Sequence, residues 1–75
     1  MPLSLVRPGQ NVRIKEIRGG RMLLSRLASM GIYPGVTVKV ISNVGRGPVI
    51  ISKDGIRFGI GFGMASKIFV DIVSN

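Results

Sequence analysis

Along most of this chain apolar residues recur at every second position, the pattern of strands with one face buried and the other wet. In residues 11–17, Val12 and Ile14 alternate with Arg13 and Lys15, and the alternation slips near Glu16, so the first strand is expected to switch face before Ile17. Val36, Val38 and Val40 line one face of a second strand that runs on toward Val44, and residues 49–52 read as a third. Gly45-Arg46-Gly47-Pro48 is the loop between them, with Pro48 restricted to a strand end because it has no amide proton to donate. Asp54-Gly55 predicts a tight hairpin, since this pair tolerates the positive φ angles that a two-residue connection demands. A fourth strand over residues 56–62 places Ile56, Phe58, Ile60 and Phe62 inward and leaves Gly59 and Gly61 bare on the opposite face. Bare positions admit two readings, sharp bending or the close approach of another backbone. Residues 64–67 predict one helical or 3-10 turn, and residues 68–73 a last strand with Ile68, Val70 and Ile72 inward and Asp71 outward.

Only residues 21–30 carry a helical period. They gather Leu23, Leu24, Leu27, Ala28 and Met30 on one side and Arg21, Ser25, Arg26 and Ser29 on the other. Gly31 stands where a helix ends in a left-handed residue, Ile32 is placed to fold back on the last turn, and Pro34 bars the helix from resuming. The start is weaker: Gly20 is an N-cap without a side chain, and Arg21 puts positive charge at the positive end of the helix dipole, so the first turn is expected to fray. The elements together predict a mainly β domain, a small, highly curved, SH3-like barrel of about five strands with one short α-helix inserted after the first.

Three residues around that helix are candidates for contact with a partner. Met22 falls on the wet side, where a flexible apolar side chain suits an adaptable contact, or else folds back onto the barrel if the first turn frays. Tyr33, held between Gly31 and Pro34, joins apolar area to a polar tip, and Arg26 lies beside them. A packing tyrosine and a solvated arginine account for the same residues.

Size and composition narrow the classes. A chain of 75 residues makes one small domain, residues 1–75, able to bury roughly 60% of its unfolded surface, so an apolar content of 45% leaves material for an exposed patch that binds a partner or a second copy as a homo-oligomer. With no cysteine there is neither a disulfide framework nor a thiolate metal site, and a cytoplasmic setting is the simplest expectation. The N-terminal segment lacks the basic and continuous apolar regions of a signal peptide. Residues 58–66, free of charge, fall far short of the ~20 needed to span a bilayer. A net charge of +8 invites nucleic acid or an anionic membrane, yet Arg13, Lys15, Lys39, Lys53 and Arg57 alternate with apolar residues as ordinary solvated strand faces do. With Phe58 and Phe62 expected inward, Tyr33 alone is left to stack on bases, and a single helix does not make a helix-turn-helix.

Catalytic means are scarce. Histidine is absent, so the serines have no imidazole base and no side chain has an ordinary pKa near neutrality. Glu16, Asp54 and Asp71 fall in a strand, a turn and another strand and form no encoded pair. A tight metal site within one chain is not expected, while a weak carboxylate site, or one bridging subunits, stays open. The glycines at 59, 61 and 63 do not fit a phosphate loop. No cofactor and no enzymatic activity are expected.

The order Pro8-Gly9, strand, Gly19-Gly20, helix with Arg26-Leu27, then Met30-Gly31-Ile32-x-Pro34-Gly35, a V-x-V strand, Gly47-Pro48 and Ala65-x-x-Ile68-x-Val70 resembles the FeoA family over nearly the whole chain. Its most specific element is the R-L-x-x-M-G-I-x-P-G run. The resemblance implies an SH3-like barrel acting in the cytosol as the small accessory protein of FeoB, the bacterial and archaeal ferrous-iron transporter with a cytosolic GTPase domain, which the family binds or regulates. It also implies that iron is the transporter's cargo. The same barrel forms the C-terminal domain of iron-dependent repressors related to the diphtheria toxin repressor, but this chain has no winged-helix segment and no metal-sensing histidines. The family pattern does not require the strong basicity, which favours a peripheral position at the anionic inner membrane face. The alternative from a different class is a small basic RNA-binding barrel.

Overall fold

Alternating residues pair as their period requires. β1 (Asn11–Ile17), β2 (Thr37–Asn43), β3 (Val49–Lys53), β4 (Ile56–Ile60) and β5 (Ile68–Val73) form one antiparallel sheet in the order β4-β3-β2-β1-β5. The computed structural model describes residues 1–73; Ser74 and Asn75 lie outside the description. Register slips between Ile14 and Glu16 on β1, and between Val40 and Ser42 on β2. Each slip inserts one residue, raises the local twist and bends the strand, which coils a five-stranded sheet around one core as an SH3-like barrel. The slip on β1 is the change of face expected before Ile17.

The inner face supplies Val12, Ile14, Val38, Val40, Ile51 and Val70, all essentially without solvent contact, and Leu27 and Ile32 complete the core from the helix and its exit. Burying each such Leu or Ile contributes roughly 1.5–3 kcal/mol, which sets the register, since a slip of one residue would turn an entire row to water. The segment before β1 joins in unexpectedly. Leu3–Leu5 forms a 3-10 turn whose Leu3, with Val6 beyond it, is fully buried. Pro2 bridges to Phe69, the Met1 amine donates to the Val70 carbonyl at 3.0 Å, and the Val70 N–H donates to the Met1 carbonyl at 2.8 Å. The Asn43 Nδ2 donates to the carbonyls of Ser4 at 2.9 Å and Val6 at 2.8 Å, pinning the turn to the end of β2.

Several expected core positions lie elsewhere. On α1 (Arg21–Ser29), Leu27 is buried and Leu23 partly so, but Leu24 and Ala28 are exposed: nine residues rest on the barrel by a single ridge of residues four apart instead of a broad face. β4 stops at Ile60 and Gly61 caps α2 (Phe62–Ala65), so the helical turn starts two residues before the expected residue 64 and carries Phe62 into solvent. Ile56, first residue of an edge strand, and Ile72, near the end of β5, keep the inward parity but have nothing above them and are exposed. The hairpin at Asp54 and Gly55 has φ of 52° and 79°, the doubly left-handed geometry of a type I′ turn. Neither Gly59 nor Gly61 has a positive φ, and β4 keeps an unbroken register with β3, so the bending falls on β1 and β2.

Candidate functional site

The exit of α1 is built by local chemistry. Gly31 adopts φ 79°; its N–H donates to the Ala28 carbonyl and the Ile32 N–H to the Leu27 carbonyl, both at 2.9 Å. These are the paired bonds of a Schellman stop, and burial of Ile32 supplies its usual apolar contact. Immediately after it, Tyr33 to Val36 form a turn centred on Pro34 and Gly35, with Gly35 at φ 98° and the Val36 N–H donating to the Tyr33 carbonyl at 3.2 Å. The Gly35 N–H donates to the Ile14 carbonyl and the Ile14 N–H to the Val36 carbonyl, both at 2.8 Å. Tyr33 therefore rides on backbone fastened to β1.

The three candidate residues are all accessible, Met22 on the first turn of α1, Arg26 on its last turn and Tyr33 at the exit. Met22 is 86% exposed, Arg26 is exposed and Tyr33 is 51% exposed. Met22 does not fold back onto the barrel. One helical turn apart, Met22 and Arg26 share a stripe of α1; Tyr33 lies beyond the helix, and among the described residues no hydrogen bond or ring contact joins it to either. The surroundings are basic. The first turn of α1 holds no acidic residue, and a side chain at Gly31 would come within 3.1 Å of the Lys53 Nζ, which itself contacts the Asp54 carboxylate at 3.0 Å. Such a surface offers apolar area and cations to a partner with acidic groups; it holds no pair of groups for proton transfer.

The outer sheet face is cationic without being aromatic. The pairing register sets Arg57, Ser52, Lys39 and Asn11 in a row across β4, β3, β2 and β1, while Arg13 lies opposite Asp71. Phe69, on the same face, is half-buried with the Arg18 guanidinium 4.1 Å from its ring centre, and Arg18 also contacts Glu16 at 3.2 Å. Among the described residues no row of free rings stands beside the cations, which is what single-stranded RNA would need. Among the described residues no group of three or more His, Cys, Asp or Glu side chains comes together. No helix of the described residues is long and apolar enough to cross a membrane.

A concave feature lies elsewhere. A cleft of about 310 Å³ is lined by Met1, Leu5, Val6, Arg7, Gln10 and Ile72. Residue patterns did not single it out, because Pro2 to Pro8 is too short for a period; the surplus of apolar residues over what the barrel can bury was the one available signal.

Comparison with known proteins agrees with this geometry. The family described as the FeoA domain matches residues 1–72. A Methanocaldococcus jannaschii protein whose name assigns it to Fe(2+) transport, as transport protein A, is 46% identical over 70 residues, covering 93% of this chain and 84% of its own. The crystal structure of an iron uptake regulatory protein, FeoA, superposes with a TM-score of 0.91 at 40% identity, covering 97% of both chains. At 21% identity, where the likeness shows the fold alone, a zinc-complexed FeoA of Stenotrophomonas maltophilia described as an SH3 domain protein superposes with a TM-score of 0.78 over 95% of this chain and 89% of its own.

Proposed function

The chain belongs to the FeoA family, and on that premise we propose that it is a non-catalytic cytosolic accessory protein of ferrous iron uptake that docks on the FeoB transporter through Met22, Arg26 and Tyr33. Membership assigns it to ferrous iron transport; the observation that supports the dock is Met22, a large apolar side chain left almost wholly in water on a helix that packs on the core through Leu23 and the fully buried Leu27. Exposed Tyr33 on a rigid exit turn gives a partner apolar area with little ordering cost, Met22 adds a flexible apolar contact from the first turn of α1, and the cations around them select for carboxylates. Iron enters this account as the transporter's cargo, and the chain acts by binding, with its positive charge favouring a place at the inner membrane face.

Co-purification tests it. Detergent-solubilised FeoB is expected to retain the wild-type protein, and the double variant Met22→Glu, Tyr33→Glu is expected to lose about tenfold or more in retention, since truncating or charging an anchor costs on the order of 1–2 kcal/mol. Undiminished retention of the double variant would remove this patch from the dock.

A further inference from the structure

We propose that the end of the barrel formed by the N-terminal 3-10 turn, the β2–β3 loop and the last residues of β5 is a lipid-contact face that seats the protein on an anionic bilayer. The proposal deepens the membrane-face position given above and rests on it.

Exposed apolar residues collect at this end. Leu5 is 65% exposed and Val44 78%, and Met1 and Ile72 are exposed as well. They come from three separate segments, yet the structure ties them together. Met1, Leu5 and Ile72 line the same cleft, with Arg7 at its rim. Val44 is brought alongside by Asn43, whose side-chain amide holds the carbonyls of Ser4 and Val6 while its Oδ1 accepts the Gly45 N–H at 3.3 Å. The tip of that loop carries Arg46. Apolar tips on bonded backbone, flanked by arginines, are the chemistry that enters the boundary between acyl chains and phosphate headgroups.

Charge selects the occupant. Of the three Asp and Glu side chains in the sequence, Glu16 is tied to Arg18, Asp54 to Lys53, and Asp71 points from the opposite face of β5 toward the register of Arg13. None lines the cleft. A second copy of a chain carrying +8 is repelled from such a surface, whereas anionic headgroups are drawn to it, and the apolar cleft floor accepts part of an acyl chain or a neighbouring methylene run.

Sedimentation with extruded vesicles decides the matter without any transporter present. The wild-type protein is expected to sediment with vesicles of phosphatidylcholine mixed with phosphatidylglycerol, to stay in solution with pure phosphatidylcholine, and to be released by added salt. The variant Leu5→Glu, Val44→Glu, altered only at exposed positions and checked for native circular dichroism, is expected to bind about tenfold or more weakly, while Lys39→Gln, Arg57→Gln, which lowers the net charge equally from the outer sheet face, is expected to bind more tightly than it. Failure of the wild-type protein to sediment with anionic vesicles overturns the proposal, as does equal loss in both double variants, which would reduce the binding to net charge. Retention on detergent-solubilised FeoB, measured in parallel, separates the two ideas: intact retention without vesicle binding removes the lipid face and leaves the transporter dock standing.

Discussion

Gly31 shows how much a single backbone conformation governs at the level of the residue. Its φ of 79° lets two N–H groups reach back to the Ala28 and Leu27 carbonyls, ends α1, and aims Ile32 into the core. A side chain there would face the left-handed cost of roughly 1–2 kcal/mol and also press on the Lys53 ammonium. Gly31→Ala is therefore expected to lower the urea midpoint by an amount corresponding to about 1–2 kcal/mol. Gly63→Ala serves as its control: φ there is not positive, nothing lies within 4 Å of the added carbon, and the change should be neutral or stabilising by up to about 1 kcal/mol. Equal losses in the two variants would show that the helix stop is not the cause. Residues of this kind were legible in the sequence because their demand is local: Gly31 before Pro34, and Asp54 before Gly55, ask for positive φ whatever surrounds them. Phe62 and Ile72 were not, since alternation says which way a side chain points and not whether anything stands over it.

Elements divide in the same way. β1 and β5 keep the boundaries their alternation predicted, and the face switch on β1 was visible as a slip in the pattern. The 3-10 turn at Leu3–Leu5 leaves no periodic signal because three residues cannot display a period, and its burial comes from Asn43 and β5, distant in sequence. The helical period locates α1 and its stop, but it overstates the apolar side; ridge packing through Leu23 and Leu27 leaves Leu24 and Ala28 in water. The candidate dock was legible in part: exposure of Met22 followed from the wheel, and that of Tyr33 from its turn, whereas the apolar end around Leu5 and Val44 was foreshadowed only by composition. The start of α1 remains its weak point, with Gly20 giving no side-chain cap and Arg21 opposing the dipole. Gly20→Asp should raise stability by about 0.3–1 kcal/mol by supplying both a cap and a negative charge, and slow hydrogen exchange in the amides of the first turn. Unchanged exchange would mean that packing of Leu23 already holds that turn.

For the whole molecule the governing quantity is the excess of cations. Eleven Lys and Arg oppose three Asp and Glu, and the two ion pairs among the described residues, at the surface, contribute no more than about 1 kcal/mol each. The body measures 31 × 24 × 22 Å, so at an ionic strength near 0.01 M, where the Debye length is about 30 Å, every cation feels nearly all the others, and near 0.1 M, at about 10 Å, only its neighbours. Folding concentrates this charge, and relieving the repulsion should favour the native state. Raising sodium chloride across that range is expected to increase Tm by several degrees, since about 1 kcal/mol corresponds to roughly 4–8 °C in a domain of this size; chloride is chosen over sulfate because exclusion of sulfate from the surface would itself stabilise. A Tm that holds constant or falls would refute self-repulsion as a limit on stability. The same salt must act in the opposite sense on binding to an anionic surface, where screening removes the attraction. Thermal stability rising while vesicle binding falls over one salt series is thus the joint signature of a barrel whose charge serves association at the expense of its own fold.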